Sequence, residues 1–203
     1  FNLPGGGGEI VAVGLLDATG DNAIVDWVVV ELRSKTAPGT ILSARCALLQ
    51  RDGDVVAADG SPALIFPVAA DDYYVAVRHR NHLGCMAAGT VALGGNAPLV
   101  DFGASSTTTH GTGAQQQLDG RQVLWMGDVN HDGRLQYTGA GNDREPMLQA
   151  IGGSSPTANA TGYLPADVNM DGVVKYSGSA NDRDALLQNV GASPSNIRQG
   201  QLP

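Results

Sequence analysis

Asp128-Val129-Asn130-His131-Asp132-Gly133 returns 39 residues later as Asp167-Val168-Asn169-Met170-Asp171-Gly172. The likeness runs past this core. Residues 128–153 set against 167–192 give thirteen identities in twenty-six positions, and Asn142-Asp143-Arg144 meets Asn181-Asp182-Arg183 at the same offset. Self-similarity at a fixed period marks two copies of one supersecondary unit. The C-terminal part is therefore a duplicated module, and the rest of the chain is read around it.

The spacing has a chemical use. Oxygens at positions 1, 3 and 5 of such a loop converge on one point when a glycine at position 6 lets the chain turn sharply, which is how EF-hand-type loops hold calcium. Position 1 is Asp128 or Asp167, position 3 Asn130 or Asn169, and position 5 Asp132 or Asp171; position 7 offers the backbone carbonyl of Arg134 or Val173. A hard cation taking six to eight oxygens also needs a closing carboxylate. Position 12, its usual source, is Gly139 or Gly178 here, and the next carboxylate is Asp143 or Asp182 at position 16, just before Met147-Leu148 and Leu186-Leu187. The spacing predicts a loop enlarged by four residues, closed by an Asp that also partners the start of a short helix, with Asn142 and Asn181 in reserve for that role. One such motif would fit a metal-free turn equally well. Two at identical spacing favour metal, and two calcium ions are expected. They would halve the formal charge of −8, so the repeat should be loose without them.

The doublet Asp-Val-Asn-x-Asp-Gly resembles the duplicated calcium segments of type I dockerins, over residues 124–192. Gln136 or Lys175 at position 9 and the glycine at position 12 depart from that pattern. The resemblance implies a small domain of two calcium loops with short helices. The whole chain, from Val25-Asp26-Trp27-Val28-Val29-Val30-Glu31 through Tyr73-Tyr74-Val75-Ala76-Val77-Arg78-His79 to Gln201-Leu202-Pro203, is similar to C-terminal regions of large secreted surface proteins of the Bacteroidota. That implies an extracellular bacterial module.

Upstream, β-rich runs alternate with turn clusters, the rhythm of an immunoglobulin-like β-sandwich. Strands are expected at 10–15, 24–32, 41–51, 55–57, 63–67, 73–81 and 86–93. The fold class is mainly β: an N-terminal arm at 1–8, a sandwich at 9–98, a Thr/Gly/Gln-rich linker at 99–122 and a dockerin-like domain at 123–203. Cys46 and Cys85 lie in apolar runs where free buried thiols are expected, with a bridge between them left open. In the linker Thr107, Thr108 and Thr109 are candidate sugar acceptors, and Asn159-Ala160-Thr161 is an N-glycosylation sequon.

The 203 residues include 28 glycines, and only 16% are charged, which suits many tight turns and no coiled coil. With a net charge of −8, basic residues are too few for nucleic-acid binding, and no run reaches the ~20 apolar residues of a membrane span. The chain begins at Phe1 without a charged-then-apolar leader, as expected of a mature exported chain. His79, His82, His110 and His131 make no zinc pattern. Cys85 with His82 is a weak nucleophile–base pair, and Asp71-Asp72 point opposite ways along a strand. No enzymatic activity is expected. The cluster at 78–82 reads as a solvated edge before a contact patch.

Phe1, Leu3 and Pro4 form an apolar tip tethered by Gly5-Gly6-Gly7-Gly8, an arm able to add to a neighbour's sheet edge. The leading expectation is an extracellular, calcium-stabilised structural module that self-associates head to tail into a surface fibre. The alternative is a dockerin-like or carbohydrate-binding adhesion module of a larger secreted protein, with glycans as ligands.

Overall fold

A computed structural model describes residues 8–96 and 98–203. Phe1, Leu3 and Pro4 lie outside the described residues. The chain is mainly β and divides into two compact units. The first holds the residues up to His79, Cys85–Val123 and Leu202–Pro203; the second holds Arg80–Gly84 and Leu124–Gln201. No helix among the described residues is long and apolar enough to cross a membrane.

The first unit is built on β1 (Ile24–Ser34), β2 (Ile41–Gln50), β3 (Val55–Val56), β4 (Asp71–His79), β5 (Cys85–Met86) and β6 (Val91–Leu93). These make one antiparallel sheet in the order β3-β2-β1-β4-β5, with β6 also on β4. Alternation along each strand sends Val28, Val30, Leu32, Ala47, Tyr73 and Val75 into one apolar cluster. Val29, Glu31, Ala44 and Ala76 point the other way and are also fully buried. Burial on both faces is why β1 reads as a nearly unbroken apolar run, Val28-Val29-Val30-Glu31-Leu32.

Several expectations change here. Residues 10–15 form no strand but run into short 3-10 turns at Leu15–Asp17 and Gly20–Asn22, leaving Ile10 and Val13 exposed. Residues 63–67 are irregular; Leu64 and Phe66, with Val68, Val100 and Phe102, pack on the apolar cluster. The second layer anticipated for a sandwich is thus made by irregular chain. The segment 99–122, expected as a linker, is part of this unit and carries a hairpin of β7 (Gln115–Leu118) and β8 (Arg121–Leu124). Its turn is Asp119-Gly120, at φ 48° and 81°, the left-handed pair that a two-residue hairpin requires. Cys46 on β2 and Cys85 on β5 are both free, with β1 and β4 between them. Three strand spacings are roughly 14 Å, twice the reach of a disulfide.

The second unit holds β9 (Arg134–Gln136), α1 (Arg144–Ala150), β10 (Asn159–Thr161), β11 (Val173–Lys175), α2 (Asp182–Asn189) and β12 (Ile197–Gln199). The two repeats exchange their tails: β12, after the second helix, pairs with β9 of the first repeat, and β10, after the first helix, pairs with β11 of the second. Hydroxyls follow the same exchange, Thr138 donating to the Pro194 carbonyl and Ser177 to that of Pro156, both at 2.7 Å. The core is duplicated residue for residue. Val129 and Val168, Leu135 and Val174, Met147 and Leu186, Ile151 and Val190 all enter one cluster. One repeat alone would expose half of that cluster. Gly127 is needed beside it: at φ 119°, a Cβ there would stand 2.7 Å from Leu186 Cδ1 and 2.8 Å from Leu135 Cδ2.

Candidate metal centre

The two Asp-x-Asn-x-Asp-Gly loops are wired alike. In the first, Gly133 N–H donates to Asp128 Oδ2 (3.2 Å), Asp132 N–H to Asn130 Oδ1 (2.9 Å) and Arg134 N–H to Asp132 Oδ1 (2.9 Å). In the second, Gly172 donates to Asp167 Oδ2 (3.1 Å), Asp171 to Asn169 Oδ1 (3.0 Å) and Val173 to Asp171 Oδ1 (2.9 Å). The amides of Asn130 and Asn169 reach back to the carbonyls of Gly141 and Ala180. The turn is sharp where the spacing predicted, with Gly133 and Gly172 at φ 77° and 85°. His131 and Met170 at position 4 are left-handed as well, at 62° and 59°.

Asp143 and Asp182 are fully buried behind these loops. Asp143 accepts the amides of Val129 (2.8 Å) and Asn130 (3.4 Å) on one oxygen and that of Gln136 (2.8 Å) on the other. Asp182 repeats the pattern with Val168 (2.6 Å), Asn169 (3.2 Å) and Lys175 (2.8 Å). Each carboxylate therefore pins the start of its loop to the strand that leaves it. Helix capping, expected of the same residues, goes instead to the preceding asparagines: Asn142 Oδ1 accepts from Glu145 N–H (3.2 Å) and Asn181 Oδ1 from Asp184 N–H (2.9 Å). The neighbours split the two duties because both oxygens of each Asp are already taken by loop and strand amides, leaving the Asn to cap the helix.

Electrostatically Asp128 and the two acids behind the loops are under-compensated. Burial pushes the Asp143 carboxyl up to about 7, against the pull of its three amide donors, and burial likewise raises Asp182. Asp128, 8% exposed, is raised by burial and then by the charge of Asp132. Its Oδ1 is buried without a hydrogen-bond partner. A buried carboxylate oxygen left bare is costly unless a cation meets it. A hard, oxygen-seeking ion suits this donor set of carboxylates, an Asn amide oxygen and a backbone carbonyl, with no thiol or imidazole. Among the described residues no three or more His, Cys, Asp or Glu side chains gather at metal-binding distance. Asp143 and Asp182 are turned to amides, leaving two carboxylates and an Asn at the mouth of each loop.

Sequence reasoning missed the clip that joins the loops. Asn81, fully buried, accepts the amides of Gly127 (2.7 Å) and Asp128 (3.0 Å) on its carbonyl, and its Nδ2 donates to the carbonyls of Pro165 (2.9 Å) and Asp167 (2.7 Å). Arg80 beside it is also buried and donates to the Leu164 carbonyl. Residues 80–81 are thus a brace inside the second unit, not a solvated edge. Nothing in their local pattern signals partners more than eighty positions away.

The remaining candidates lie apart from the loops. Asn159 is exposed on β10. Thr108 is exposed, while Thr107 and Thr109 are half-buried, the latter bridged to Ala87. Burial pushes the Cys85 thiol up to about 12, and burial followed by the charge of Glu9 raises Cys46, so neither is an activated nucleophile. No protein-family model matches the chain, and no curated protein or solved structure matches it either.

Proposed function

We propose that this chain is a non-enzymatic, extracellular structural module whose C-terminal unit is a dockerin-like pair of loops stiffened by two calcium ions. The carrying observation is Asp128 Oδ1, a buried carboxylate oxygen with no partner at the centre of a loop that the chain builds twice. Asp128, Asn130, Asp132 and the Arg134 carbonyl would hold one ion, and Asp167, Asn169, Asp171 and the Val173 carbonyl the other. Asp143 and Asp182 would close each loop from behind. The ion supplies positive charge to buried anions and ties loop, strand and helix start together.

The first unit would serve as a sandwich-like scaffold for head-to-tail assembly into a fibre. Among the described residues no strand pairs with the outer side of β2 from Ile41 to Ala47, since β3 covers only Leu48 and Leu49. The 1–8 segment of a second copy could add there as a strand. Light scattering and electron microscopy of the purified chain, with calcium and with chelator, test this. Fibres that disappear when residues 1–8 are deleted support it; a monodisperse monomer in every condition overturns assembly and leaves attachment to a partner or glycan as the role. Isothermal titration tests the metal, and a chain that takes up no calcium overturns the reading at its root.

A further inference from the structure

The two loops share their wiring but not their charge. Asp167 meets a built-in cation: Arg80 Nη2 lies 3.7 Å from its Oδ2, and both side chains are almost fully buried. That guanidinium is held in place by the Leu164 and Asp167 carbonyls and by the Tyr163 ring, 4.5 Å from its centre. The other oxygen of Asp167 accepts Asp171 N–H at 3.1 Å, so neither oxygen is bare. At position 9 the Lys175 ammonium stands 3.5 Å from Asp171 Oδ2. The first loop has neither charge; its own arginine, Arg134 at position 7, forms no ion pair with Asp128 or Asp132, and its Nε is buried without a hydrogen-bond partner. Position 9 there is Gln136, whose Nε2 donates to the carbonyls of Thr138 and Ala140, and Asp128 keeps one oxygen buried and without a partner.

We propose that the loops are unequal cation sites: the Asp128 loop takes a divalent ion tightly, while the Asp167 loop, already supplied by Arg80 and Lys175, takes its ion weakly. This rests on the calcium reading above. An incoming double charge in the second loop is repelled by two fixed positive charges a few ångströms from its ligands, and it finds no bare buried oxygen to relieve. At a partly shielded surface that repulsion weakens binding roughly ten- to a hundredfold. The first loop then fills at low calcium and orders its repeat, and the second responds only as calcium rises, a graded rather than all-or-none device.

The test is a calcium titration of the full chain, followed by calorimetry and by the amide resonances of Gly133 and Gly172. Each of these amides donates to the position-1 carboxylate of its own loop. Two steps separated by roughly tenfold or more, with Gly133 moving in the first and Gly172 in the second, are expected. Lys175→Asn, at a partly exposed side chain, should tighten the weak step severalfold without moving the strong one. Asp128→Asn should remove the strong step, and Asp167→Asn should spare it. Two equal steps, or Gly172 moving first, overturn the inequality and leave the calcium reading intact. No uptake at either glycine overturns both.

Discussion

The two units bury acids in opposite ways. In the sheet unit Glu31 is fully buried, yet Arg33 Nη2 stands 2.7 Å from it and Arg78 Nη1 3.5 Å. Asp26 is paired with His79 at 3.0 Å. In the repeat unit Asp143 and Asp182 are equally buried, but the partners that hold them are backbone amides, and Asp128 leaves an oxygen bare. Amide dipoles offset part of the desolvation of a carboxylate but bring no net charge. The sheet unit sets Arg33 and Arg78 against Glu31, whereas in the repeat unit only the Asp167 loop has such cations, Arg80 and Lys175, and no side-chain cation is paired with Asp128, Asp143 or Asp182 among the described residues. A fold that imports its charge responds to the concentration of the imported ion, whereas one that contains its own does not.

The largest expected effect breaks the comparison outright. Calcium at about a thousandfold over its dissociation constant stabilises a site by about 4 kcal/mol, and only the repeat unit should gain it. Calorimetry should show one transition that climbs with calcium and falls with chelator beside one that ignores both. Hydrogen exchange should place the mobile one at Val129, Leu135, Val168 and Val174. Equal response of both units would erase the distinction.

The mirror-image experiment removes an internal counter-ion. Glu31→Ala leaves Arg33, itself 3% exposed, without its carboxylate and with only the Pro38 and Pro203 carbonyls to accept from it, a loss of about 3–5 kcal/mol. Denaturant unfolding should show that loss in the sheet unit at every calcium concentration. If added calcium restores it, the units are not electrostatically independent.

The pH dependence sharpens the contrast and has a definite sign. The folded, metal-free Asp143 titrates near 7 because of burial, above the ordinary carboxylate range, and Asp128 and Asp182 move in the same direction. The folded state therefore holds protons that the unfolded chain has released. The part of the metal-free stability that these groups contribute is present in full below about pH 4 and is lost as pH rises to about 7, on the order of 4 kcal/mol from Asp143 alone. With calcium bound the carboxylates stay ionised, and the curve should be flat above about pH 5. The gap between the two melting curves should widen towards neutral pH; parallel curves would mean that these acids do not face the ion.

What was legible in the sequence follows the same divide. Repeated local geometry was legible, because Asp-x-Asn-x-Asp-Gly writes its turn into five or six adjacent residues, and the left-handed Gly133 and Gly172 stand where the motif puts them. The sheet strands β1, β2 and β4 were legible to within two residues from alternation and β-branched content. The Asp119-Gly120 hairpin carried a usable signal that its polar flanks, Gln115-Gln116-Gln117, obscured. Residues 10–15 and 63–67 have strand composition, but a strand also needs a partner edge, which composition cannot supply. The pairing of β12 with β9, and the brace at Arg80 and Asn81, depend on contacts 61 to 87 residues apart in sequence and leave no local trace.

The smallest effect tests whether the two loops are one structure built twice. His131 and Met170 sit at position 4 in the left-handed region, where a side chain costs roughly 1–2 kcal/mol, and both are exposed, so neither conformation is forced by packing of the side chain itself. What holds them is the loop wiring, in which the amides at positions 5, 6 and 7 all turn inward to carboxylate and Asn oxygens. Glycine pays no such steric penalty but loses more entropy on folding, which cancels part of the gain. His131→Gly and Met170→Gly should each stabilise the repeat unit by about 0.5–1 kcal/mol in denaturant unfolding with calcium present, and by similar amounts. A gain in one loop and a loss in the other would show that the backbone of the two copies has diverged along with their charge.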